Sequence, residues 1–149
     1  CLCYNGFTQE MLLAVGVMAV QEIAKAFGLK LVVLFGSYET EDFKPGVSDI
    51  DLAFLSHDIL TESQYLSLIN AFSRYFRYSK IDLVDLHKAS GLLKYQIAAH
   101  GRLLYEEEEG CFFRYSLYCI RYYYDTAKFR QRRQAYFAQQ LGEMANEQN

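Results

Sequence analysis

The chain has 149 residues, 52% of them apolar and 22% charged, with a formal net charge of −3. That length is enough for one domain with a sizeable core, and the composition excludes disorder. The acid excess argues against non-specific binding of nucleic acid through phosphate contacts. Four cysteines (Cys1, Cys3, Cys111, Cys119) form no CxxC pair and stand far from the three histidines. Neither a zinc site nor a disulfide framework is expected, and a reducing cytoplasm is the expected setting. The opening at Cys1 rather than Met is what a trimmed chain would show. No signal peptide or membrane span is expected, because the early apolar run from Met11 to Phe27 is broken by Gln21, Glu22 and Lys25.

In chain order, Thr8 can cap a first helix with Leu12, Val15, Ala19, Ile23 and Ala26 at helical spacing, stopped near Gly28. The β-branched run 30–35 reads as a buried strand. Residues 36–48 hold the only proline, in Lys44-Pro45-Gly46, and read as a loop. A strand over 50–55 follows. Thr61 opens an amphipathic helix to about Tyr78, with Tyr65, Leu68, Ile69, Phe72 and Phe76 on one stripe. Lys80 to Leu86 alternates as a strand does. A helix near 88–99 ends at Gly101, Arg102 to Tyr105 form one more short strand, and 112–141 read as one long helix running to Gly142. There is no internal repeat and no linker rich in Pro, Gly or Ser. The expectation is a single α+β domain over 1–149, a small mixed sheet flanked by helices. Its core spans about 8–105 and a C-terminal helical extension about 110–142.

Two carboxylates, Asp49 and Asp51, stand two positions apart at the start of the second strand, just after the first strand has run into Gly36-Ser37. Side chains at i and i+2 of a strand share a face. A third acid, Asp82, sits inside the next apolar strand. Three acids on neighbouring strands are costly unless a positive charge neutralises them. Divalent cations would do so and would clamp an in-line displacement at phosphorus. Asp85, three positions on, falls on the opposite face and reads as a structural acid.

Gly36-Ser37, then Ser48-Asp49-Ile50-Asp51-Leu52, then Ile81-Asp82-Leu83-Val84-Asp85-Leu86 resemble the polymerase-β-like nucleotidyltransferase superfamily. The chain is similar, more narrowly, to the minimal nucleotidyltransferases, the MntA-type antitoxins paired with HEPN-domain toxins. Leu92 to Glu106, closing on Gly101-Arg102-Leu103-Leu104-Tyr105-Glu106, resembles the family's segment after the third strand. Tyr122-Tyr123-Tyr124-Asp125 with Lys128, Phe129, Arg130 and Arg133 resembles its tail. The resemblance implies a polymerase-β-like fold with a long C-terminal helix. It also implies Gly36, Ser37 and Ser48 as nucleotide-binding residues, and Asp49, Asp51 and Asp82 as catalytic ligands of two Mg²⁺ ions. The implied activity is transfer of AMP from ATP to a tyrosine of a partner HEPN ribonuclease toxin, in a heteromeric complex with no direct nucleic-acid contact. The alternatives are transfer to a small-molecule hydroxyl, and an antitoxin that works by binding alone. The spacing from Ser37 to Asp49 is one residue longer than usual in the family. The positions after Gly-Ser read Tyr38-Glu39-Thr40-Glu41-Asp42, where an arginine and a second glycine are common. Lys44 could offset these acids from the same loop.

In the tail, Phe112, Tyr115, Tyr118, Tyr122 and Phe129 lie near one stripe, and Arg121 to Arg133 hold five basic residues against one acid. Core packing and partner docking are both open for this stripe. The Glu106–Glu109 run reads as an exposed turn favouring the next helix's N-terminus. His57 and His87 could approach the carboxylates but read more simply as polar loop residues. His100 reads as a charge partner at a helix end.

Overall fold

The computed structural model describes residues 20–146. The cap expected at Thr8, the apolar positions from Leu12 to Ala19, and Cys1 and Cys3 lie outside the described residues. Helix α1 is described from residue 20 to residue 26. Then follow β1 (Leu29–Phe35), β2 (Ile50–Ser56), α2 (Glu62–Phe76), β3 (Ile81–Asp85), α3 (Gly91–His100), β4 (Arg102–Glu106), α4 (Cys111–Asp125) and α5 (Ala127–Asn146). The architecture is α+β, as the pattern of elements predicts.

The strands form one mixed sheet in the order β3-β2-β1-β4. β1 is antiparallel to both β2 and β4, whereas β2 and β3 are parallel and joined through α2. Period-two alternation gives the sheet two apolar faces. Val32, Leu34, Leu52, Phe54 and Leu83 pack with α1 and α2, where Leu68 and Phe72 are buried. Val33 and Ala53 face the other way and pack with Ile97 of α3 and with Phe112 and Tyr115 of α4. The sheet is thus the middle of three layers. Phe72 is fully buried, so truncating it to alanine would cost about 3–5 kcal/mol.

Local chemistry fixes the helix boundaries. Thr61 and Gln64 form a reciprocal capping box at the start of α2, and Arg77 in the left-handed region ends it. α3 begins three residues later than the expected 88. The amides of Lys88 and Ala89 both donate to the Asp85 carbonyl at 3.0 Å and close a turn. The hydroxyl of Ser90 then accepts from the amide of Leu93 at 3.2 Å and caps the helix.

The single long helix expected over 112–141 is two helices, broken at Thr126. The Thr126 hydroxyl bonds back to the carbonyls of Tyr122 at 2.7 Å and Tyr123 at 3.3 Å. The Arg130 guanidinium also donates to the Tyr123 carbonyl and stacks 3.7 Å from the Tyr123 ring centre. Back-bonding by threonine to the preceding turn bends helices. Gly142, expected as a stop, lies within α5, where its cost is about 1 kcal/mol.

Candidate functional site

The strand directions decide what meets at each end of the sheet. β1 runs toward Gly36 while β2 and β3 run away from it. The end of β1 therefore lies beside the beginnings of β2 and β3. Asp51 is level with Phe35 on one side and with Asp82 on the other. The two carboxylates are neighbours on adjacent parallel strands and share the face on which α3 and α4 pack. Asp51 is half-buried, while Asp49 and Asp82 are exposed.

Gly36 makes this arrangement possible. Its φ is 76°, and a Cβ placed there would lie 2.0 Å from Oδ2 of Asp51. Only a residue without a side chain permits both the left-handed turn and the carboxylate pressed against it. Burial pushes the Asp51 carboxyl above its ordinary range, and the negative charges of Asp82 and then Asp49 push it further. The three acids expected to act together therefore share one field. Among the described residues, no three acidic, histidine or cysteine side chains stand close enough together to hold a metal ion as they are placed. Like charges repel, and a bound cation would lower the cost of drawing the carboxylates closer.

Ser37 follows Gly36 and is half-buried. Its carbonyl accepts from the Thr40 amide at 3.0 Å and the Thr40 hydroxyl at 2.6 Å, which closes the turn 37–40. Ser48 is tied into the next turn, its hydroxyl accepting from the Lys44 amide at 3.0 Å. That hydroxyl keeps its own proton to donate.

The acidic positions Glu39, Glu41 and Asp42 are exposed. Arg102 pairs with Glu39 at 2.7 Å. In the sequence Arg102 is only the first residue of a strand, and Lys44 is the evident offsetting charge. The available signal was Gly101: a strand beginning there and running antiparallel to β1 must start at the Gly36 end. Tyr78 in the sequence is likewise only the end of a helix. Its phenol donates to the Ser48 carbonyl at 2.6 Å and accepts from the Gly46 amide at 2.9 Å.

Other candidates lie elsewhere. His57 pairs with Glu107 at 2.9 Å, and the His87 ring bonds the Ser56 carbonyl at 2.8 Å. Both are at the end of β2 away from the aspartates. Asp85 faces away from Asp82, accepts from the His87 amide at 2.9 Å, and lines a cavity of about 490 Å³ between α2 and the end of β3. His100 is the last residue of α3. Glu106 supplies what the turn reading anticipated. Its carboxylate accepts from the amides of Gly110 and Phe112, each at 3.1 Å, at the start of α4.

The aromatic stripe of the tail divides between two environments. Phe112 and Tyr115 join the core, and burial pushes the Tyr115 phenol far above its ordinary range. Tyr118, Tyr122 and Phe129 are exposed, together with Tyr136, Phe137 and Leu141 of α5. No helix among the described residues is long and apolar enough to cross a membrane.

Residues 19–110 match the family model described as polymerase beta, nucleotidyltransferase. No curated protein matches the chain by sequence. Among solved structures, the chain is similar to a toxin–antitoxin with AMP-PNP. The identity there is 25%, over 84% of this chain and 98% of that one, with a TM-score of 0.66. It is also similar to a mutant of the toxin–antitoxin MntA–HpeT, at 26% identity over 82% and 95% of the two chains, with a TM-score of 0.61. A third likeness, to a tri-AMPylated Shewanella oneidensis HEPN toxin in complex with MNT antitoxin, has 24% identity. It covers 87% and 98% of the two chains with a TM-score of 0.63, and shows shared fold.

Proposed function

The chain belongs to the polymerase beta nucleotidyltransferase family, and from that premise we propose that it is a Mg²⁺-dependent protein adenylyltransferase acting as an antitoxin. Its donor is ATP and its acceptor a tyrosine hydroxyl on a partner HEPN toxin, which the added AMP silences. The observation that carries the reading is Asp51, pressed against Gly36 and level with Asp82.

The donor set suits a divalent cation. Carboxylate oxygens are hard ligands, and a cation would relieve the repulsion that raises the Asp51 carboxyl. Asp49 and Asp51 would hold two Mg²⁺ ions, with Asp82 completing the second site. When bound, the cations neutralise the triphosphate and make the acceptor hydroxyl more acidic.

The chain's own residues orient the reaction. Gly36 lets the backbone come close to the nucleotide phosphates, and the Ser37 hydroxyl and amide donate to them. The Ser48 hydroxyl directs its proton toward the same ligand. The acceptor oxygen attacks the α-phosphorus, forming a new P–O bond. The bond between the α-phosphorus and its bridging oxygen breaks, and pyrophosphate leaves. The hydroxyl proton passes to the Asp82 carboxylate.

The exposed aromatic surface of α4 and α5 supports a stable complex with the partner, since tyrosine, phenylalanine and arginine are enriched where proteins meet. A bulky anion added near an RNA-cleaving centre would repel the RNA phosphates, which gives the modification its logic as an off-switch. A cytoplasmic setting suits the free thiols of Cys111 and Cys119.

The test is the intact mass of the partner toxin after incubation with this chain, ATP and Mg²⁺. Gain of whole AMP units is expected, with none when Asp49→Asn and Asp51→Asn are combined. A double variant that still protects cells without any mass gain would instead select neutralisation by binding alone.

A further inference from the structure

The loop that delivers Asp49 to the sheet is tied to residues 78–80, and the Tyr78 phenol makes two of those ties. We propose that Tyr78 is a positioning residue for the nucleotide site, fixing the Lys44–Ser48 loop and through it the carboxylate of Asp49. The inference rests on the role given to Asp49 above.

Residues 44–47 are all exposed, so the loop buries no side chain that could anchor it by packing. Hydrogen bonds do that work instead. Within the loop, the Ser48 amide donates to the Lys44 carbonyl at 2.9 Å and the Lys44 amide donates to the Ser48 hydroxyl at 3.0 Å. These bonds shape the loop without attaching it to anything. Attachment comes from residues 78–80. The Tyr78 hydroxyl donates to the Ser48 carbonyl at 2.6 Å and accepts from the Gly46 amide at 2.9 Å. The Lys80 ammonium donates to the Val47 carbonyl at 3.3 Å. The Ile50 amide donates to the Lys80 carbonyl at 2.9 Å, beside the first rung of the β2–β3 ladder.

The Ser48 carbonyl has particular leverage. It lies in the same rigid peptide plane as the Asp49 amide, so holding that oxygen sets the direction in which the Asp49 Cα leaves the plane. Asp49 itself is exposed and precedes the strand, so the ladder alone does not hold it. Tyr78, by contrast, is anchored from behind. Its amide donates to the Ser73 carbonyl at 3.1 Å, and its own carbonyl accepts from the Ser73 hydroxyl at 2.8 Å. Its ring packs with Phe43, centre to centre at 5.8 Å, and Phe43 in turn meets Tyr38 edge-on at 5.0 Å. The phenol thus connects the end of α2 to the residue before Asp49.

The variant Tyr78→Phe keeps the ring and its packing and removes only the hydroxyl. Hydrogen exchange at the Gly46 amide should accelerate about tenfold or more, because its acceptor is lost. Affinity for MgATP, measured by calorimetry, should weaken about tenfold, while affinity for ATP without metal, which loses only the Ser48 contact, falls by no more than about threefold. In transfer assays kcat should fall with the KM for the partner protein unchanged. A merely structural tyrosine would weaken ATP binding equally with and without metal, and that result would overturn the proposal. So would faster exchange at Gly46 with unaltered MgATP affinity. A wild-type chain that does not bind MgATP at all would overturn the underlying reading of Asp49, which separates the two failures.

Discussion

The two ends of the sheet hold similar residue types and treat them oppositely. At the far end the titratable groups pair within the chain: His57 with Glu107, His87 with the Ser56 carbonyl, and Asp85 with the His87 amide. At the near end Asp51 is half-buried against a glycine, and the charges that act on it are those of two further acids. Internal satisfaction marks structure. Uncompensated like charges, held together by strands that leave them little choice, mark a place prepared for something positive.

The sharpest way to break this contrast is Gly36→Ala. A methyl group would overlap the Asp51 carboxylate, and φ of 76° is strained for any residue with a Cβ. Transfer should be lost, with stability reduced by about 2 kcal/mol in thermal or urea unfolding. Next is Asp51→Asn, expected to lower transfer by at least about a hundredfold. Its effect on stability has the opposite sign. The folded chain holds the Asp51 proton more tightly than the unfolded chain, whose value is near 3.8. The cation-free wild type therefore loses stability as pH rises from below that value through the raised one, and the loss persists above it. The asparagine variant lacks this loss, so at neutral pH it should melt higher than wild type when metal is absent. Added Mg²⁺ with nucleotide should raise the melting temperature of wild type only.

Smaller effects are expected further out. Arg102→Ala would release Glu39 beside the proposed phosphate site and should weaken ATP binding by a few-fold. His57→Ala removes an exposed pair at the far end. It should cost less than about 1 kcal/mol and leave transfer within about twofold.

The strands, and the presence of carboxylates on them, are legible because both rest on short-range periodicity. Leu31 to Phe35, Ile50 to Leu55 and Ile81 to Asp85 alternate or run apolar as strands must. Parity pairs Asp49 with Asp51 and sets Asp85 opposite Asp82, whereas the level of Asp82 with Asp51 comes from the β2–β3 register. The capping box at Thr61 was likewise half visible, as a threonine before an apolar stripe. What escaped depends on contacts distant in sequence. Tyr78 reaches Gly46 and Ser48 across about thirty residues, and Arg102 meets Glu39 only because β4 returns alongside β1. The break at Thr126 was hidden for a different reason. Threonine is compatible with a helix, and the bend follows from its hydroxyl competing for carbonyls together with Arg130.

The most direct measurement is Mn²⁺ binding followed by electron paramagnetic resonance, with Mn²⁺ in place of Mg²⁺ and a non-hydrolysable ATP analogue present. Wild type should take up the ion in a nucleotide-dependent manner, and Asp49→Asn, Asp51→Asn and Asp82→Asn should each weaken uptake, while Asp85→Asn should not. Equal uptake by wild type and the Asp51 variant, or a loss confined to Asp85→Asn, would contradict the assignment of the three carboxylates to one cation site.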